Sequence, residues 1–310
     1  MSFTAFLLIV CSAGLHASWN LVAKKNRMSI PFYTIICTTA TLLWLHVQFW
    51  TPIKVWTLPG RFYLAVLASV GADVLYCSGL VMSYRRMEMA TAYPVMRALP
   101  IILTALATSA LGWGAPLTAG SYAGFLIVFA GALLMPLNQF SDFRWSRYWN
   151  GNMLFILLVA CGTTGYTVLD GRATEVLKAC LSDVSAPVRA MTFYSFRGLT
   201  LGVVLWLIVL TLPALRRELR ELVGTGHLRA GMLAGLFASL SYSLVLCAMN
   251  YVTNVAFVQV FRQLGLPIGM ALGVLILKEH CTRTKVLGVT LILTGLTVSV
   301  LPWEKIASWL

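Results

Sequence analysis

Apolar stretches of membrane-spanning length alternate with short polar segments along nearly the whole chain. A helix of about 20 mostly apolar residues is long enough to cross the hydrocarbon core of a bilayer. Ten stretches meet that requirement, so the pattern predicts ten membrane-spanning helices. These spans lie at 3–24, 30–50, 62–83, 89–111, 117–137, 151–170, 187–211, 229–250, 253–277 and 284–302.

The segments between the predicted spans are too short for a soluble domain. Three of them are longer and polar, and we expect loops at 138–150, 171–186 and 213–228. The first apolar stretch has no basic segment before it, and it carries His16 and Trp19 where a secretory signal would have its cleavage region. We therefore predict that this stretch is a retained helix.

Composition agrees with a polytopic membrane protein. Of the 310 residues, 59% are hydrophobic and 11% are charged, whereas soluble domains carry about 25% charged residues. The net charge of +13 comes from short basic clusters between apolar stretches. Such clusters set membrane topology and contact anionic lipid, so we expect membrane lipid and not nucleic acid as a partner. The seven cysteines have no CxxC or CxxH spacing, and we expect no metal site and no cofactor.

The second half of the chain repeats the first. A shift of 166 positions places Tyr76 on Tyr242, and a shift of 164 places Gly124 on Gly288. Each copy, 1–138 or 150–305, would hold five spans, and an odd number of spans inverts one copy relative to the other. The prediction is an all-α membrane protein with ten transmembrane helices arranged as two inverted five-helix repeats. Transporters built in this way bind substrate near the membrane midplane, between the repeats.

Glycines recur within these copies at helical spacing. Gly288 and Gly295 lie one heptad apart in the tenth span, and Gly124 and Gly131 occupy the matching positions in the fifth. Small residues at such spacing allow close approach of two helices. The heptad pair resembles the glycines that hold the subunits of small multidrug transporters together, and this resemblance implies that the fifth and tenth spans pack against each other.

The two copies, together with the segment GLPIGMALGVLILKEHCTRTKVLGVTLILTG at 265–295, resemble the EamA-like branch of the drug/metabolite transporter superfamily. The resemblance covers essentially the whole chain and includes LHASWN at 15–20. Glu279 matches the acidic residue at the end of the family's ninth helix, whereas the first copy has 112–114, GWG, at the corresponding place. The resemblance implies a ten-helix carrier for small metabolites, often an exporter, without identifying the substrate.

Arginines inside two predicted spans are the strongest candidates for a binding site. Arg97 lies a third of the way along the fourth span, and charges at such depth usually face a cavity; the alternative is that its side chain snorkels to the interface. Arg262 lies in the ninth span, one position from the residue aligned with Arg97. A step of one residue turns a side chain by about 100° around the helix axis, so the two arginine side chains are not expected to point in equivalent directions. Both are expected to contact a carboxylate or phosphate of the substrate, although Arg262 could instead form a structural pair. The remaining predicted substrate-binding residues are Tyr93, Trp19, Gln259, Gln263 and Tyr76.

Two further polar residues are candidates for ion pairing or proton coupling. Asp73 lies near the middle of the third span, where a carboxylate is costly unless it is paired or protonated. Arg97 is its expected partner, in a pair that either fixes packing or takes part in transport. His16, in the first span, is the second candidate, with a helix-to-helix hydrogen bond as the alternative. We expect Asp170 at the membrane interface and Arg197 in a packing or gating position.

These features predict a secondary active transporter, an exporter of a small polar metabolite such as an amino acid or organic anion, that works by alternating access. The alternative is a carrier for a cationic amine or drug that uses Asp73, and a third possibility is a non-transporting integral membrane protein. The missing first-helix glutamate of small multidrug transporters weakens the cation alternative. Enzyme motifs such as HExxH, GxSxG and a Walker loop are absent, so we expect no enzymatic activity.

The expected location is an integral, multi-pass position in a bacterial inner (plasma) membrane, with the protein as a monomer or homodimer. The face with the chain termini would hold six basic residues and the opposite face fourteen. The positive-inside rule therefore predicts both termini outside the cytoplasm. The resemblance implies the reverse orientation.

Overall fold

All regular secondary structure among the described residues is helical. The computed structural model describes residues 2–26, 28–87, 89–142, 151–277, 281–301 and 303. In the first half, the helices are α1 (Phe3–Lys25), α2 (Ile30–Leu45), α3 (Val47–Trp50), α4 (Gly60–Arg86), α5 (Met89–Leu111) and α6 (Ala119–Leu134). In the second half, they are α7 (Met153–Cys180), α8 (Ala186–Thr211), α9 (Pro213–Gly224), α10 (His227–Met249), α11 (Val255–Phe261), α12 (Gly265–Leu277) and α13 (Arg283–Val300).

The helices have the length and surface of a membrane protein. Within the described residues, seven are long and apolar enough to cross a membrane, and three shorter apolar helices lie at Phe3–Trp19, Ala119–Leu134 and Val255–Ala271. Large apolar side chains cover the outside of the bundle, including Leu64 and Leu207, which are 70% and 58% exposed. An extended apolar surface of this kind indicates contact with lipid. The chain is therefore an α-helical, multi-pass membrane protein.

Two of the predicted loops are wrong. The helix that begins at Met153 continues to Cys180, ten residues beyond the predicted end of the sixth span at 170. The predicted loop 213–228 contains α9, which begins with Pro213 in its first turn, where proline fits a helix. Leucines three or four residues apart, among them the buried Leu222, form the apolar side of α9.

Helix α6 packs against α13 as predicted. A Cβ atom added to Gly124 would lie 2.6 Å from the carbonyl oxygen of Gly295, and one added to Gly131 would lie 2.7 Å from that of Gly288. Only glycine permits the two backbones to approach so closely. The contact between the fifth and tenth predicted spans is thereby confirmed.

The ninth apolar stretch is interrupted, which the sequence pattern did not indicate. Helix α11 ends at Phe261, a 3-10 turn covers Arg262–Leu264, and α12 begins at Gly265. Pro267 has no amide hydrogen for the carbonyl four residues before it, which favours an irregular turn there. Helix α5 remains continuous through Pro94 and Pro100. The interruption therefore lies in the segment that contains Arg262.

A second close approach sets the geometry of the bundle interior. A Cβ atom on Gly162 of α7 would lie 2.5 Å from the backbone nitrogen of Tyr76 in α4. The two helices therefore pack nearly backbone to backbone. This contact brings the middle of α4, with Asp73, close to the part of α7 that carries Asp170.

Candidate functional site

Three charged side chains from three helices form a buried network. Arg197 of α8 donates from Nη2 to Oδ2 of Asp73 at 2.8 Å and from Nε to Oδ1 of Asp170 at 2.9 Å. The side chains of Arg197, Asp73 and Asp170 are 3%, 8% and 0% exposed. A charge buried to this extent is tolerated only when it is paired and hydrogen-bonded.

Hydroxyl groups complete the bonding of both carboxylates. Tyr33 donates to Oδ1 of Asp73 at 2.7 Å, and Tyr242 donates to Oδ2 of Asp170 at 2.5 Å. Ser69 donates to Oδ1 of Asp170 and accepts from Nε of Arg197 at 3.0 Å. Each carboxylate oxygen therefore accepts at least one hydrogen bond, which is the pattern of two ionised groups.

This network corrects two sequence predictions. Asp73 is paired with Arg197 and not with Arg97. Asp170 is fully buried and not at the interface, because α7 extends ten residues past it. Arg197 was expected only in a packing or gating position. Its place near the middle of the 26 residues of α8 is a signal of the same kind as that of Arg97, and it could have indicated a buried partner.

Arg97 contributes to a second polar group, with His16 and Trp19 of α1. The indole Nε1 of Trp19 donates to Nδ1 of His16 at 3.0 Å. Arg97 places Nη1 3.0 Å from Nε2 of His16 and donates from Nη2 to the carbonyl oxygen of Arg262 at 3.2 Å. The side chain of Arg97 is thus directed into the bundle rather than to the interface.

The hydrogen bond from Trp19 determines how His16 and Arg97 face each other. An indole N–H can only donate, so Nδ1 of His16 accepts and the ring proton of the neutral imidazole is on Nε2. Nε2 of His16 and Nη1 of Arg97 are then two donors 3.0 Å apart. Two donors cannot bond to each other, and the guanidinium places a positive charge at the wall of a cavity. This arrangement is suited to an anion.

Arg262 and a group of tyrosines lie between the two polar groups. The rings of Tyr166 and Tyr242 have centroids 5.9 Å apart, and Tyr76 lies 5.8 Å from Tyr166. The guanidinium of Arg262 lies 5.9 Å from the centroid of Tyr242, and that of Arg197 lies 5.7 Å from it. Both are within the range of a cation–π contact.

Among the described residues, two small cavities lie inside the bundle. The central cavity, about 100 Å³, is next to Asp73 and Arg197, and the arginine cavity, about 50 Å³, is next to Arg97. They share part of their lining, namely His16, Tyr76, Tyr166 and Arg262. Both predicted arginines therefore line the same cavity.

A larger cavity lies at one face of the bundle. This vestibule, about 840 Å³, lies where α1 and α4 end and where α2 begins, and α9 forms one of its sides. Tyr84 lines both the vestibule and the arginine cavity. Across the vestibule, Arg85 of α4 is paired with Glu218 of α9 at 2.7 Å. We call this side of the protein the vestibule face.

The other predicted site residues have different positions. Trp19 and Tyr76 line the central cavity, and Gln259 lines the arginine cavity. Gln263 is fully buried and donates from Nε2 to the backbone oxygen of Arg97 at 3.2 Å, so it links two helices. The side chain of Tyr93 and the whole of Glu279 lie outside the described residues.

Comparison with known proteins shows a similarity of fold. No family model and no curated protein matches the sequence. A solved structure, described as a crystal structure of a protein, is similar with a TM-score of 0.67 and 15% sequence identity, over 99% of each chain. Together, the fold and the site define a helical, multi-pass membrane protein with a buried charged centre. In the part of the chain that the structure describes, no cluster of three histidine, cysteine or acidic side chains is arranged to hold a metal ion.

Proposed function

We propose that this chain is a secondary active transporter of a small organic anion, of the EamA-like branch of the drug/metabolite transporter superfamily. The observation that carries the proposal is the order of the cavities. Vestibule, arginine cavity and central cavity follow one another from one face to the middle of the bundle, and Arg97 and Arg262 line this series. Intramembrane charges beside a cavity usually mark a substrate pathway.

The separation between these cavities and a cavity on the opposite face supports alternating access. The cavity on the opposite face, about 350 Å³ and lined by residues such as Gly171 and Val252, shares no lining residue with the two buried cavities. A carrier exposes its site to one side of the membrane at a time. The structure would then represent the state that is open toward the vestibule face.

The packing of the helices supports ten spans in two inverted repeats. The seven long and three shorter apolar helices correspond one to one to the ten predicted spans. Helix α1 packs on α10, and α4 packs on α7. In the two predicted repeats, α1 corresponds to α7 and α4 corresponds to α10. The contact of α1 with α10 is therefore equivalent to the contact of α7 with α4. Exchange of the two halves converts the contact of α6 with α13 into itself, as expected of two elements related by a two-fold axis.

The distribution of charge favours an anion over the alternative, a cationic amine held by Asp73. Asp73 is already bonded to Arg197 and Tyr33, so binding a cation there would require loss of an existing pair. Arg97 and Arg262 form no ion pair with an acidic side chain in the described part of the chain. A carboxylate or phosphate of the substrate would supply the missing partner.

Export is the proposed direction of transport. The vestibule lies on the face that carries most of the basic residues, among them Arg85, Arg216 and Arg220. With the orientation that the positive-inside rule favours, this face is cytoplasmic in a bacterial inner membrane. A substrate would then enter the site from the cytoplasm. We propose no enzymatic role, because His16 and Asp73 are each bonded to other side chains and not to each other.

The proposal is tested by a thermal-shift screen of purified protein against metabolites, followed by flux of the hits into liposomes. We expect stabilisation by organic anions, and loss of both stabilisation and flux in Arg97→Gln. Arg61→Gln, at an exposed position in the first turn of α4, is the matched control for loss of one charge. Stabilisation by amines that depends on Asp73 and survives Arg97→Gln would favour the cation carrier. Protein that moves nothing from a broad metabolite set would favour a non-transporting role.

A further inference from the structure

Among the described residues, the charges around the two buried cavities do not cancel. Asp73, Arg197, Arg97 and Arg262 line the cavities, and Asp170 lies directly behind Arg197. Arginine stays protonated in proteins, so three positive charges are present. Both aspartates accept hydrogen bonds at every carboxylate oxygen, as expected of ionised groups. The described residues of this centre therefore retain one positive charge.

His16 does not add a second positive charge. Its Nδ1 accepts a hydrogen bond from the indole of Trp19, so this nitrogen carries a lone pair and the ring is neutral. Arg97, 3.0 Å from the other ring nitrogen, further disfavours a charged imidazole. The cysteine and tyrosine side chains of the cavities are neutral at physiological pH.

A net charge inside a membrane-embedded bundle is costly because the surroundings have a low dielectric constant. A bound molecule with one net negative charge brings the centre to neutrality. A zwitterion would leave one positive charge, and a dianion would leave one negative charge. Among small metabolites, this centre is therefore matched to those with one net negative charge.

We infer that the transported molecule carries one net negative charge, as a monocarboxylate or an acidic amino acid does, and that net charge at this centre sets selectivity. The inference rests on the proposed transport function and narrows its substrate class. It also assigns a role to Asp73 and Asp170 that needs no contact with the substrate. Through their charge, these two residues limit how much negative charge the arginines can accept.

The inference is tested with molecules of similar size and different net charge. One series is 4-aminobutyrate, butyrate and succinate, and a second is glutamine, glutamate and N-acetylglutamate. In each series the net charge at neutral pH is zero, one negative and two negative. Affinity for purified full-length protein is taken from the concentration dependence of the melting temperature. We expect butyrate or glutamate to bind most tightly within its series.

Variants then change the charge of the centre. Asp73→Asn and Asp170→Asn each remove one negative charge and so raise the net charge of the centre by one. Each is expected to shift preference from the monoanion to the dianion by about tenfold or more. Arg262→Gln removes one positive charge, and preference should move toward the zwitterion. Asp183→Asn makes the same change in charge as the two buried aspartate variants, but at an exposed position between α7 and α8, so preference should stay unchanged.

The outcomes separate this inference from the proposed function. Tightest binding of a zwitterion or dianion by the wild-type protein would overturn the charge assignment and leave the carrier proposal standing. The charge assignment would also be overturned if both Asp73→Asn and Asp170→Asn kept the wild-type preference. For this comparison, both variants must elute as monodisperse folded protein. Two positions are used because one asparagine variant could fail to fold. If no member of either series binds, the charge assignment is overturned, whereas the proposed function is contradicted only if the broad metabolite screen also finds no ligand.

Discussion

Arg197 of α8 donates to Asp73 of α4 at 2.8 Å, and this ion pair joins the two halves of the chain inside the bundle. Asp170 accepts from the same guanidinium at 2.9 Å, so one arginine serves two carboxylates. A buried ion pair is weak evidence for stability, because desolvation offsets much of the attraction. Removal of one member is different, since it leaves the other charge buried and unpaired.

Replacement of Arg197 by methionine should therefore destabilise the protein strongly. Arg197→Met leaves Asp73 and Asp170 without a cation, and loss of one partner of a buried pair costs about 3–5 kcal/mol. Asp73→Asn should cost less, because Arg197 keeps Asp170 as a partner. Thermal unfolding of the purified variants in detergent measures both effects.

Arg217→Met is the matched control for this prediction. Arg217 pairs with Glu221 on the surface of α9, where the two side chains are 80% and 63% exposed. Exposed pairs contribute about 0–1 kcal/mol. Equal losses for Arg197→Met and Arg217→Met would contradict the buried network.

The sequence predicted the fold better than the site. Apolar stretches located the helices because a span must be long and apolar, and the depth of Arg97 and Arg262 marked them as unusual. The pairing of Asp73 was missed, because helix packing decides which side chains meet and adjacent spans need not supply the partner. Asp170 was misplaced because charged and polar residues after position 170 resemble the end of a span, whereas α7 continues to Cys180.

The one-sided order of the cavities predicts sided reactivity of Cys37, which lines the central cavity. The test protein retains Cys37 as its only cysteine and is reconstituted in one orientation. A charged, membrane-impermeant methanethiosulfonate reagent is applied to either face. Reaction from the vestibule face should be faster by about tenfold or more, as expected if the alternate state is a minor population.

A variant without cysteines gives the background of this labelling measurement. An increase in labelling on addition of a transported anion from the opposite face would indicate movement of the site between faces. Faster reaction from the opposite face in the unliganded protein would contradict the proposed access through the vestibule.

The contact between α6 and α13 predicts a position-dependent response to alanine. A Cβ atom on Gly295 would lie 2.6 Å from the carbonyl oxygen of Gly124, so Gly295→Ala must separate the two backbones. Overpacking of this kind costs about 1–3 kcal/mol. Gly269→Ala is the control, since a Cβ atom there meets no atom within 4 Å.

Melting temperatures of the two glycine variants provide the comparison. Alanine in an open helical position is expected to stabilise by about 0.5–1 kcal/mol relative to glycine. The close packing of α6 and α13 would be contradicted if Gly295→Ala were as stable as Gly269→Ala.

The hydrogen bond from Trp19 to His16 predicts a role for an indole N–H in anion affinity. In Trp19→Phe this donor is lost, so the ring proton of His16 can move to Nδ1 and Nε2 can accept from Arg97. Nη1 of Arg97 would then be bonded to His16, and the anion would lose this donor. Loss of one charge-assisted hydrogen bond should weaken binding of butyrate or glutamate by about tenfold.

Trp44→Phe is the control for this change, because the indole of Trp44 donates to Ser239 at 2.7 Å, away from the anion site. Thermal-shift titration of both variants measures their affinity for the anions, and melting temperatures without ligand report their stability. If Trp19→Phe binds these anions as tightly as Trp44→Phe does, the tautomer of His16 does not organise the site. A tenfold loss confined to Trp19→Phe, without a matching loss of stability, would assign the effect to the donor pair of His16 and Arg97.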